Sequence, residues 1–149
     1  MDTETKKPFD IAALAAADEG DLHILDGAGK KTGWVWTFAG PGHTATIAID
    51  REQSARYIAR EQAKERAQVN GKKWKGGDET PEELRERTIG YIIARLLRWT
   101  DIELEGGPFP CTPDNARKIL ADPRYGLVFD QANEFLRDEK DFTKRSAKP

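Results

Sequence analysis

Five residues, Trp34-Val35-Trp36-Thr37-Phe38, constrain this chain more than any other stretch. Alternation puts Trp34, Trp36 and Phe38 on one face of a strand, where three large rings need cover. One small sheet does not supply that cover alone, so a second layer is required. Packing against the chain's own helices is the first use of such a face, and a docking surface for a partner is the second.

The residues before this strand, Asp26 to Gly33, read DGAGKKTG. A phosphate-binding loop needs a glycine, four residues, then Gly-Lys-Ser/Thr leading into a helix. Here Lys31 follows Gly29-Lys30, Ile24 holds the upstream glycine position, and a strand pattern follows. The stretch therefore reads as a hairpin tip.

The rest of the chain falls into segments around this hairpin. Residues 1 to 20 form an N-terminal arm, with the alanine-rich Ile11 to Ala17 as two helical turns ended by Gly20. Residues 21 to 49 read as three strands: Leu22 and Ile24 alternate in the first, the aromatic run is the second, and Ile47 and Ile49 mark a third after Gly40-Pro41-Gly42. Asp50 and Gln53 form a capping-box pattern ahead of a helix from Arg51 to Val69. That helix has a thin, alanine-rich apolar face around Tyr57 and Ile58, with Arg51, Arg56, Arg60, Lys64 and Arg66 over most of the remainder. A glycine-bearing linker, Asn70 to Glu79, stops it.

Thr80-Pro81-Glu82-Glu83 is a second capping box, with proline at the favoured first position and acids near the positive dipole end. Beyond it, Ile89, Ile92, Ile93, Leu96, Leu97 and Trp99 share one arc of about 160° at helical spacing, which predicts a core helix. The stretch TDIELEGGPFP turns back on itself, with Asp101, Glu103 and Glu105 on an outer face. Thr112-Pro113 opens a short helix, Asp114 to Leu120. Asp122-Pro123 opens a last one, with Val128, Ala132, Phe135 and Leu136 to one side. The tail from Thr143 reads as frayed and basic. The expected fold is α+β: a small N-terminal antiparallel sheet of about three strands, then a helical body of about four helices (50 to 142), all in one domain from 21 to 149.

Few residues carry chemistry. Cys111, beside Pro110 and a helix start, is the best candidate nucleophile, though a small residue packed under a turn explains it more simply. His23 and His43 fall on separate predicted strands, and with Asp21 and Asp26 they read as solvent-facing residues ahead of a ligand set. We expect no catalytic residues, no metal and no cofactor. The 24 basic and 26 acidic residues nearly cancel in a chain that is 34% charged, which disfavours general nucleic-acid binding. A single cysteine excludes an internal disulfide, and no apolar run reaches the ~20 residues of a membrane span. A cytoplasmic location is the expectation. Trp74, in KKWKGG, either folds back over Leu84 or meets a protein partner, with a nucleic-acid stacking platform well behind. The poorly apolar helix beside it leaves room for completion by a partner.

The block from Trp99 to Phe142, WTDIELEGGPFPCTPDNARKILADPRYGLVFDQANEFLRDEKDF, resembles the C-terminal part of tail assembly chaperones of long-tailed bacteriophages. The likeness lies in the order of pieces: a helix ending in Trp, a turn with glycines and Pro-Phe, a Thr-Pro-x-Asn-Ala-x-x-x-Leu helix, a helix after Asp-Pro, and a closing Phe. The upstream hairpin and Arg-rich helix are similar too, so the resemblance runs from about Leu22 to Phe142. It implies a protein in the cytoplasm of a bacterial host that coats the tape measure protein before the tail tube polymerises; the tail tube protein and, by weak self-association, a second copy of the chain are further candidate partners. Candidate partner-binding residues are Trp34, Trp36 and Phe38 on the sheet, and Tyr57, Arg60 and Trp74 beside the charged helix; exposure arguments select them, not a family motif. The competing classes are a tail or head-to-tail connector component kept in the particle, and a small phage protein that inhibits a host protein.

Overall fold

The aromatic strand lies at the centre of the architecture. A computed structural model describes residues 7–74, 76–77, 79–138 and 142. Strand β1 (Glu19–Leu25) and strand β2 (Lys31–Ala39) form an antiparallel hairpin, followed by helix α1 (Thr44–Val69) and helix α2 (Pro81–Arg95). Strand β3 (Leu96–Trp99) then returns to pair antiparallel with β2, giving a three-stranded sheet in the order β1-β2-β3. A small hairpin of β4 (Glu103–Leu104) and β5 (Gly107–Pro108), helix α3 (Pro113–Ala121), a 3-10 turn at Pro123–Tyr125 and helix α4 (Gly126–Arg137) complete the chain. The layout is α+β, as the patterning predicts.

DGAGKKTG is the hairpin tip. The Asp26 carboxylate accepts from the amides of Ala28 and Lys30 at 2.9 and 3.0 Å, an Asx-type closure. Gly29 and Gly33 take the left-handed φ values of +83° and +86°.

The third strand is not the one expected from Ile47 and Ile49. Those residues lie in α1, which begins at Thr44, seven residues before the predicted start. His43 caps it, its Nδ1 accepting from the Ala45 amide at 3.0 Å, while Asp50 and Gln53 sit in the helix interior. A period-2 pattern over three residues is compatible with either element, and histidine is not among the usual capping residues. The third strand comes instead from the end of the predicted core helix. α2 stops at Arg95, and Leu96–Trp99 takes up extended backbone against β2, with Trp99 opposite Trp36. The open edge of β2 supplies the reason, since its backbone groups need a ladder partner. Thr100 continues the pairing: its amide donates to Val35 O at 3.0 Å, its hydroxyl accepts from the Val35 amide at 2.9 Å and donates to Gly33 O at 3.1 Å.

Gly20 does not end a helix. The arm forms a single 3-10 turn at Ile11–Leu14, and Gly20 lies inside β1, buried. The predicted basic tail from Thr143 lies outside the described residues.

The core is an aromatic cluster between sheet and helices. Trp36 lies 5.1 Å from Trp99 and 5.2 Å from Trp34 between ring centroids, Trp99 stacks on Phe109, and Phe38 meets Phe135 of α4 at 5.7 Å. Ile89 and Ile92 of α2, Ala116, Ile119 and Leu120 of α3, and Val128, Phe129 and Ala132 of α4 close it. The edge of β1 is held by Gln131 of α4, whose side-chain amide donates to Leu25 O at 3.0 Å and accepts from the Leu25 amide at 2.9 Å.

One buried cation holds the junction of these layers. Arg95 is 4% exposed, and its Nε and Nη2 donate to the Ala39 carbonyl at 3.0 and 2.7 Å. Its Nη1 donates to the Tyr91 hydroxyl at 3.1 Å, and the guanidinium lies 5.0 Å from the centroid of the Phe142 ring. Burial raises the Tyr91 phenol above its ordinary range, so the ring stays neutral beside the cation. The same carbonyl accepts from Thr46 Oγ1 at 3.3 Å at the start of α1. The next residue, Gly40, passes against the Ala17 backbone so closely that a Cβ would lie 2.0 Å from Ala17 O. We predict that Arg95→Met, which keeps the aliphatic stem and removes the donors, lowers the unfolding free energy by about 2–3 kcal/mol, as measured by urea titration.

Candidate functional site

The candidate interface lies between α1 and α2. α1 is 26 residues long, about 39 Å at the helical rise, and Thr46 is its one buried residue. The side chains turned toward the body, among them Ile49, Gln53, Arg60, Ala63 and Ala67, are half-buried, because small and charged residues give α2 little to grip. The two helices leave an open groove of about 1520 Å³ between them.

Ile49, Gly90, Ile93 and Ala94 give the groove its apolar lining. Its charges are largely matched in place: Arg56 to Glu52 at 2.6 Å, Arg60 to Glu83 at 3.9 Å, Arg87 to Glu79 at 2.9 Å, and Arg117 to Glu86. The Arg87–Glu79 pair is bidentate, and Arg87 holds the Glu79 carboxyl below the ordinary carboxylate range. An occupant therefore meets apolar floor and paired charge, with no strong field of either sign.

Three of the sequence-selected residues meet here. Tyr57, 66% exposed, stands on the rim, and Arg60 and Trp74 line the same groove. Trp74 folds back, though onto its own linker: its Nε1 donates to Gly77 O at 3.2 Å, and its ring covers Gly76, where a Cβ would lie 2.3 Å from the indole. Arg60 donates to the same Gly77 carbonyl. Leu84, the expected seat of the ring, remains exposed.

The other three are core, which corrects their candidacy as a docking surface. Trp34, Trp36 and Phe38 are buried, because α4 and the β3–β5 segment cover that face of the sheet. The sequence marks Ile93 as core only and gives Gly90 and Arg87 no role; the one available signal is that Gly90 interrupts an otherwise apolar helix face.

The remaining chemical candidates are dispersed. His23 is exposed on β1, His43 caps α1, and Asp21 accepts from Thr37 Oγ1 at 2.7 Å. Among the described residues no group of three His, Cys, Asp or Glu side chains could hold a metal, and no helix is long and apolar enough to cross a membrane. Cys111 is half-buried, and desolvation raises its thiol above the ordinary range despite an opposing backbone hydrogen bond from Trp99. No protein-family model matches the chain, and no curated protein or solved structure matches it either.

Two outcomes follow for these residues. A Cβ at Gly90 would meet nothing within 4 Å, so Gly90→Ala is expected to stabilise the protein by about 0.5–1 kcal/mol in thermal or urea unfolding. Iodoacetamide should alkylate Cys111 more slowly in the native protein than in the urea-unfolded chain, with the gap narrowing as pH rises past the ordinary thiol range, as followed by mass spectrometry.

Proposed function

We propose that this protein is a phage tail assembly chaperone that keeps the tape measure protein soluble before the tail tube polymerises, and that the α1–α2 groove holds the tape measure segments. The observation that carries the reading is α1 itself, a 26-residue helix with a single buried residue, running beside an apolar-floored groove. The resemblance from Leu22 to Phe142 supports it.

The physics of the role suits such a surface. A long helical polypeptide with an apolar stripe aggregates unless covered, and an amphipathic helix laid in a groove is a common mode of cover. A shallow groove with its charges already paired gives modest affinity per copy. Many copies along one filament add to dense coverage, yet each leaves readily when tail tube subunits arrive. The surroundings would be the cytoplasm of the bacterial host. Tyr57, Arg60 and Trp74 are the contact residues in this reading.

Co-expression with the tape measure protein encoded nearby tests it. The chaperone keeps the tape measure soluble and co-purifies with it in many copies, and Tyr57→Ala and Trp74→Ala each reduce the amount recovered several-fold while the far-ultraviolet circular dichroism is unchanged. A tape measure that precipitates with none of this protein bound defeats the proposal. Recovery of the protein in stoichiometric amounts from purified particles would favour a tail component instead.

A further inference from the structure

α1 carries a second row of side chains beside those that face α2. Ile47, Ile58 and Val69 are 39%, 53% and 80% exposed, and they stand eleven residues apart. Eleven residues are close to three whole turns, so each step drifts by only about 20° around the helix. Positions 47, 51, 54, 58, 62, 65 and 69 thus form one row, with spacings of four, three and four, twice over, and every member is exposed. The half-buried residues toward the body lie on the other side of the helix. Ile58 alone of the three apolar members reaches the outer rim of the groove.

The chemistry of this row reads the same in both directions. When a second α1 is turned end over end about Ile58, each residue meets the one equally far on the other side of 58. Ile47 then faces Val69, Arg51 faces Glu65, Ser54 faces Gln62, and Ile58 faces its own copy. Every facing pair is matched: apolar on apolar, opposite charges, polar on polar. A parallel pairing in register would instead set Arg51 on Arg51 and Glu65 on Glu65, which repel. Neither Arg51 nor Glu65 makes an ion pair among the described residues, so both charges are available.

We infer that this row is a self-association surface, on which two copies of the chain pack α1 against α1, antiparallel, about a two-fold axis at Ile58. Such an isologous contact closes at two copies. The seam from Ile47 to Val69 is about 33 Å long, and an 11-residue period drifts about 20° per step, so a slight right-handed coiling of the two helices keeps the row in contact. Three apolar residues per copy make a small contact. The dimer is therefore weak, reversible and dependent on concentration. The inference stands apart from the tape measure reading and survives its failure.

Sedimentation velocity on the full chain, from about 10 µM to about 1 mM at low salt, tests it. The wild-type protein should pass from monomer to dimer across this range, while Ile58→Asp and Val69→Asp stay monomeric with unchanged helix content. Arg51→Glu should move the transition to roughly tenfold higher concentration, because two symmetric ion pairs become repulsions, and the double variant Arg51→Glu with Glu65→Arg should restore it. In a Cys111→Ser background, Ile58→Cys should oxidise to a covalent dimer. Arg51→Cys should not, since its symmetry mate lies about 21 Å away along the seam. A wild-type chain that remains monomeric throughout overturns the inference. So does a dimer that ignores Ile58→Asp, or one that the charge swap fails to restore.

Discussion

A guanidinium removed from water is the constraint on which the junction of this fold depends. Arg95 ends α2, directs its donors to the Ala39 carbonyl at the end of β2, and lies under Phe142 from the C-terminal segment. Burying such a charge is costly unless its donors are satisfied, and removing it would leave the Ala39 carbonyl without its two guanidinium donors. The position of Arg95 also decides its neighbours. With the guanidinium anchored at the end of the central strand, the following residues, Leu96 to Trp99, are placed beside β2 and complete the sheet.

The aromatic cluster depends on that placement. Trp99 reaches Trp36 and Trp34 only because it arrives on a strand, and its indole donates to Phe109 O at 3.0 Å, drawing the β4–β5 hairpin onto the core. The buried indole N–H groups of Trp34 and Trp36 find no hydrogen-bond acceptor among the described residues, and Trp34 stands edge-on to its neighbours, an arrangement in which ring packing offsets part of that loss. The body is thus dense at the sheet and thin at α1, and the thin side is where binding surfaces are available.

The candidate site was partly legible in the residue order. Tyr57, Arg60 and Trp74 were singled out because a large ring among lysines and a poorly apolar helix both lack obvious cover, and the fold brings all three to one groove. The groove floor was not legible. Ile93 reads as a core position on α2 and does pack against the core while also lining the groove, whereas Gly90 faces open space, and a glycine in an apolar helix face has several meanings in isolation. Trp34, Trp36 and Phe38 carried two readings that periodicity cannot separate, because a strand face patterned for burial is the same whether a helix of its own chain or a partner covers it.

Local chemistry in the sequence determined the hairpin at Asp26 to Gly33, the caps at Thr80 and Thr112, the stops near Val69 and the apolar faces of α3 and α4, since each depends on residues within a turn or two of one another. Tertiary structure decided that Leu96 to Trp99 is strand and that Arg95 is buried, whereas the helix start at Thr44 rests on a local cap by His43, a residue type that does not signal one. Both tertiary outcomes depend on partners 56 to 65 residues away in the chain: an unpaired strand edge, a carbonyl needing donors and a ring cluster needing its third tryptophan. A free energy shared between such distant groups leaves no trace in the spacing of neighbours, so sequence periodicity alone could not assign them.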